Sequence, residues 1–164
     1  QSPRYIVSDG TSNLYVSETN NGTIRRVNAL TGVVTTFAGN GTPGYVDDIG
    51  SAARSHRPRG ITSDGTSVYW VEFNAHSIRQ GIVSSASVST LAGNVTLCSA
   101  GCSGGTSCNN GVCLPPSGGP PVGGGATDGV GTAAEFYAPF SIAYHFPSSS
   151  LFVIGGNHTI RRIQ

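Results

Sequence analysis

Residues 8–27, SDGTSNLYVSETNNGTIRRV, return at residues 63–81 as SDGTSVYWVEFNAHSIRQG. Tyr15, Glu18, Asn20 and Ile24 fall on Tyr69, Glu72, Asn74 and Ile78, an offset of 54 residues. A third copy, SSSLFVIGGNHTIRRI at residues 148–163, places Asn157, Ile160 and Arg161 on the same pattern. Self-similarity at a fixed spacing is the signature of a repeat architecture, in which each unit buries its apolar faces against its neighbours.

The flanking segments repeat as well. TTFAGNG at 35–41 returns as STLAGN at 89–94, and DDIGSAARSHRPRGI at 47–61 returns as DGVGTAAEFYAPFSI at 128–142. Each unit therefore reads as four short strands and a long connector. In the first unit the expected strands are 5–8, 14–17, 23–28 and 33–38; in the second they are 60–63, 68–72, 77–82 and 87–91. The second strand of each unit is a continuous apolar run, LYV, VYWV or LFVI. A strand with one wet face alternates, whereas an unbroken run requires cover on both faces, as in stacked propeller blades. SDGTS supplies Asp-Gly turn chemistry between the first and second strands, and ETNNG and EFNAH supply it for the next hairpin.

These strands and turns resemble the NHL-repeat family of β-propellers: a Pro-x-Gly-Ile opening, an LYV-acid strand, an Asn turn, an Ile-Arg strand and a T-x-AG ending. The resemblance covers nearly all of the chain except about thirty residues after Asn94. It departs locally, with Ser55 where the second connector has Phe136, Asp48 where it has Gly129, and Gly155 or Gly156 where the other units have Glu18 and Glu72. The fold class expected is all-β: two four-stranded blades and three strands of a third. Such a set does not close a ring, since small propellers use at least four blades. Further copies or segments are the expected partners, with an open blade edge as the template for association.

Three segments follow: blades one and two over 1–94, a cysteine-rich insert and Pro/Gly linker over 95–122, and a connector with a partial third blade over 123–164. The insert carries Cys98, Cys102, Cys108 and Cys113 among Gly, Ser and Asn. It has too little apolar content for a core, so covalent links are expected to hold it. Zinc is the competing use, but its sites favour paired knuckles flanking a longer spacer. Three disulfide pairings are open. The layout is similar to a clipped EGF-like module, and that similarity implies Cys98 with Cys108 and Cys102 with Cys113.

Disulfides need an oxidising compartment. Sequons at Asn21, Asn40, Asn94 and Asn157 point the same way, each in an expected turn or connector. The Pro-Pro and Ser-Pro context adds O-linked sugars to the expected glycans by analogy with hydroxyproline-rich surface proteins. The sequence is thus read as extracellular or cell-surface. It opens on Gln1-Ser2-Pro3 with strand-like sequence close behind, as expected if a leader has been removed or the chain is part of a longer one.

Composition narrows the function. Charged residues make up 10% of the 164, the net charge is +1, and the nine strong cations are arginines dispersed along the chain; Lys and Met are absent. A nucleic-acid binder concentrates its basic residues on one face, so none is expected as a partner. No stretch approaches the roughly 18 apolar residues of a membrane-spanning helix, so no direct membrane insertion is expected either.

No catalytic constellation stands out. No nucleophile elbow, P-loop or dinucleotide fingerprint is present, and no cofactor is expected. Of His56, His76, His145 and His158, His76 and His158 hold equivalent turn positions and are the only metal-ligand candidates, since NHL-like propellers include a zinc-dependent amidating lyase. The plainer expectation is that both are exposed turn residues, because a metal site needs three convergent ligands. Glu18 and Glu72 recur once per unit, as do Arg25, Arg79 and Arg161. A repeated Glu–Arg contact explains that recurrence better than a single acid–base pair. The function expected is a structural or protein-interaction propeller within a larger surface filament or matrix, and no enzyme. The alternatives are a metal-dependent lyase or hydrolase completed by further blades, and a carbohydrate-binding or sensor domain.

Overall fold

The computed structural model describes residues 2–93 and 125–164 in full, together with the backbone of 107–109 and 112–114. The first sheet is a four-stranded antiparallel meander of β1 (Pro3–Ser8), β2 (Asn13–Glu18), β3 (Thr23–Asn28) and β4 (Val34–Ala38). A short strand β5 (Asp48–Ile49) and a single 3₁₀ turn at Gly50–Ala52 follow in the connector. The second meander is β6 (Pro58–Ser63), β7 (Ser67–Glu72), β8 (Ser77–Ile82) and β9 (Ser87–Ala92). Strands β10 (Ser107–Asn109) and β11 (Val112–Leu114) form a separate antiparallel hairpin inside the insert. The third sheet, β12 (Ser141–His145), β13 (Ser150–Ile154) and β14 (Ile160–Ile163), has three strands. These are β-propeller blades, and the repeat units of the sequence coincide with them.

The Asp-Gly turns form as their chemistry dictates. Asp9 Oδ1 accepts the Thr11 amide at 2.9 Å, and Asp64 Oδ1 accepts the amides of Thr66 at 2.8 Å and Ser67 at 2.7 Å. Each aspartate thereby supplies the acceptor that a tight turn otherwise lacks.

The unbroken apolar run of β7 has a direct explanation. Val68 and Trp70 enter a core shared with Tyr15, Ile24 and Phe37 of the first blade. Tyr69 and Val71, pointing the other way, enter a second core with Phe136, Ile142, Leu151 and Val153. Alternate residues of one strand thus serve two cores, and all six residues of β7 are buried. The innermost strands of adjacent blades approach closely: the Gly60 amide donates to Phe140 O at 3.1 Å, and a Cβ on Gly60 would lie 2.6 Å from Ser141 Cα. Only a residue without a side chain fits there.

Strand β5 was not anticipated. It turns back from the connector onto the outer edge of the second blade, pairing Asp48 with Val88 and Ile49 with Ser87, so that this blade's sheet has five strands. Two residues of extended chain give no periodicity to read. Their pairing is fixed from outside, by Gly39 donating to Gly50 O on one side and Gly50 to Ala86 O on the other.

Candidate functional site

The recurring acid and arginine meet inside the blade. Glu72 and Arg79 are both fully buried, with Arg79 Nη1 donating to Glu72 Oε1 at 3.1 Å. Ser55 Oγ donates to the same oxygen at 2.5 Å, and Trp70 Nε1 donates to Ser55 Oγ at 3.3 Å. The arginine also clasps the connector ahead of its own blade, donating to Arg54 O at 3.1 Å, Val46 O at 2.9 Å and Asp47 Oδ1 at 2.7 Å. Burial pushes the Glu72 carboxyl up, with the Arg79 charge pulling the other way. A carboxylate enclosed this completely has no access to a substrate.

The first blade holds a looser version. Arg25 Nη1 lies 3.8 Å from Glu18 Oε2, and the carboxylate accepts from Thr23 Oγ1 at 2.7 Å and Asn21 Nδ2 at 3.1 Å. Burial raises the Glu18 carboxyl, but these hydrogen bonds and the Arg25 charge outweigh it and leave the group below its ordinary value. In the third blade Ile154 faces Ile160 as Val71 faces Ile78, which makes Gly155 the counterpart of Glu72. Arg161 nevertheless keeps the clasp, donating to Glu135 O, to Thr127 O at 3.0 Å and to Asp128 Oδ1 at 2.6 Å. Its guanidinium lies 4.7 Å over the Phe136 ring. The sequence departures at Ser55/Phe136 and Glu72/Gly155 are therefore one exchange: a serine that bonds the acid gives way, where the acid is absent, to an aromatic face beneath the arginine.

His76 is not the exposed turn residue that its position suggested. It is 1% exposed, its Nδ1 accepts the Ala138 amide at 2.8 Å, and its ring stacks on Tyr137 with centroids 5.8 Å apart. The connector to the third blade folds over it, so the imidazole joins two blades and its Nδ1 lone pair is already used. His158 does lie exposed, with φ +61°, as the repeat implied. Among the described residues, no three His, Cys, Asp or Glu side chains converge as a metal site would require.

A cleft lies where the first blade meets the second, with a space of about 440 Å³. The turn after β2 contributes Asn20 and Gly22, the connector contributes Pro43, His56 and Arg57, and the turn after β7 contributes Asn74. His56 is 9% exposed. Its Nε2 lies 3.5 Å from Asn74 Nδ2, while its Nδ1 has no partner among the described residues. Burial, and secondarily the charge of Arg57, hold the imidazole pKa below its usual value, so the ring is neutral at neutral pH. Sequence reasoning noted His56 without placing it. The signal was the alignment of His56 and Arg57 with Tyr137 and Ala138, which puts both pairs at blade interfaces.

Of the sequon asparagines, Asn40 is exposed, its Oδ1 accepting the Thr42 amide at 2.9 Å. Asn21 and Asn157 are half-buried, Asn21 bonded to Glu18 and Asn157 accepting from Thr159 Oγ1 at 2.7 Å. Asn94, Cys98 and Cys102 lie outside the described residues. Cys108 and Cys113 face one another across the β10–β11 register, but their side chains also lie outside. The expected disulfides and zinc alternative therefore fall beyond what the structure describes.

No protein-family model matches the chain. No curated protein sequence matches it either. Solved structures do. A Bacteroides thetaiotaomicron protein described as a putative phosphatase aligns over 98% of this chain with a TM-score of 0.69 and 21% identity. A second protein from that organism, of unknown function, aligns over 98% with a TM-score of 0.68 and 20% identity. Its auxiliary nutrient-binding protein aligns over 99% with a TM-score of 0.63 and 23% identity. The likeness is one of fold. The chain spans about a third of the length of these structures, 34% to 36% of each.

Proposed function

We propose that this chain is a run of NHL-type blades from a larger propeller, serving as a structural and protein-interaction module of an extracellular or cell-surface glycoprotein. One observation carries the reading. Ile61 and Val88 of the second blade are 8% and 3% exposed because the first blade covers them; their counterparts Ile6 and Val34 stand 61% and 51% exposed. On the other side, Ile78 is fully buried by the third blade while its counterpart Ile160 is 71% exposed. The outer blades thus present, uncovered, the same apolar faces that the middle blade buries. Blades of the same kind are the natural cover, supplied by more of this chain or by another copy.

Arg25 supports the same reading. Arg79 and Arg161 each clasp the connector ahead of their own blade, and Arg25 has the geometry for such a clasp without a connector beside it. The secretory assignment rests on the four clustered cysteines and the sequons, with Asn40 the exposed acceptor among the described ones. A scaffolding role is favoured over catalysis by the enclosure of Glu72, whose carboxyl burial pushes up, within its blade.

Mass spectrometry of the protein isolated from its source, before and after enzymatic deglycosylation, tests the glycoprotein reading. Glycan mass on the peptide carrying Asn40 is expected. A fully unmodified protein with reduced cysteines would refute it.

A further inference from the structure

The two blade interfaces are built alike, yet one is closed by a side chain and the other is not. At the second interface the His76 ring fills the gap between turn and connector, lying against Tyr137 and taking the Ala138 amide on Nδ1. At the first interface Gly22 stands at the position of His76, His56 at that of Tyr137, and Arg57 at that of Ala138. The backbone repeats as well: Gly22 and His76 have φ of +62° and +53°, and Arg57 and Ala138 have +56° and +43°. Gly22 brings no ring, and it cannot be replaced by a residue that does, since a Cβ there would lie 2.6 Å from Ser55 O. The cleft of about 440 Å³ is the result.

We propose that this cleft binds a small planar carboxylate, an aromatic or unsaturated acid, that does from outside what His76 does from within. The ring lies on His56, and the carboxylate accepts the Arg57 amide and pairs with the exposed Arg57 guanidinium. Three features select this chemistry. The wall on which the ring rests is itself planar. Among the described residues no carboxylate lines the cleft, so none of them opposes the Arg57 charge there. Of the polar groups lining it, Thr19 Oγ1 and Asn20 Nδ2 are already used on Pro58 O and Ser2 Oγ, which leaves the Arg57 amide and guanidinium to meet an acceptor. The inference does not depend on the glycoprotein reading and adds a ligand site to the scaffold.

The test is a titration of the intact protein with benzoate, followed by amide and imidazole NMR resonances, with benzamide as the neutral isostere. Saturable shifts of the Arg57 amide and the His56 ring are expected, with a Kd in about the millimolar range, and binding of benzamide about tenfold weaker. Arg57→Ala should weaken benzoate to a similar degree while keeping the turn, because alanine already occupies the equivalent conformation at Ala138. No saturable shift at Arg57 or His56, or equal affinity for benzoate and benzamide, would overturn the proposal. The isostere comparison decides the point even if the variant proves unstable.

Discussion

Arg79 and Glu72 form an ion pair 3.1 Å long in which neither side chain has any solvent exposure, and the same arginine ties Asp47 of the connector at 2.7 Å. The pair explains why acid and arginine recur in the sequence. In the second blade they fasten the blade to the connector that precedes it, and in the third Arg161 does so without the acid. Breaking a buried pair leaves a charge without its partner, which typically costs about 3–5 kcal/mol, whereas a partly exposed pair contributes about 1 kcal/mol or less. Glu72→Gln should therefore lower stability by about 3 kcal/mol in urea unfolding, and Glu18→Gln by about 1 kcal/mol or less. Equal effects of the two substitutions would show that burial does not set the strength of the pair.

His76 and His158 share a turn position and should behave differently. His76→Ala removes the acceptor of the Ala138 amide and the stack on Tyr137, at a cost of about 1–3 kcal/mol for the stranded donor alone. His158→Ala alters an exposed side chain and should stay within about 0.5 kcal/mol. Thermal unfolding of the two variants side by side checks this.

Gly60→Ala places a Cβ 2.6 Å from Ser141 Cα and 2.9 Å from Phe140 O, both backbone atoms that cannot swing away. The innermost strands must then separate, with an expected loss of about 1–3 kcal/mol. Gly10→Ala, at a turn with open space around it, tests the contrast. Its φ of +78° imposes conformational strain without steric contact, so its loss should be the smaller of the two.

Acid should weaken the turns through Asp64. Burial raises this carboxyl, but hydrogen bonds from the Ser67 and Thr66 amides, the Thr66 hydroxyl and the Tyr69 hydroxyl outweigh it, so its folded pKa lies below the ordinary 3.8. A carboxyl depressed on folding contributes stability that is fully present above its unfolded pKa and is lost as pH falls through its folded one. Stability should therefore decline as the pH drops below 3.8, and Asp64→Asn should flatten that part of the profile. An unchanged slope in the variant would remove Asp64 from the account.

Much of the fold was legible because propeller strands carry strong local signals. The Asp-Gly turns set the hairpins at Asp9 and Asp64, and the apolar run through Trp70 required two covered faces. The Glu–Arg contact was legible from recurrence alone. The rest depended on long-range contacts. Nothing local separates His76 from His158; a tyrosine and an amide from a distant connector bury one and leave the other wet. Strand β5 is too short to show a period. The cleft is defined by a missing side chain at Gly22, which acquires meaning only when the two interfaces are superposed. The insert that holds Cys98, Cys102, Cys108 and Cys113 is where sequence reasoning went furthest and the structure describes least.

The central claim is that the bare faces at Ile6 and Ile160 are covered by further blades. A high-resolution image of the intact protein from its source tests it most directly. The account predicts a closed ring in which flanking blades bury both isoleucines as Ile61 and Ile78 are buried here. A free three-blade particle with Ile6 and Ile160 in solvent would contradict it.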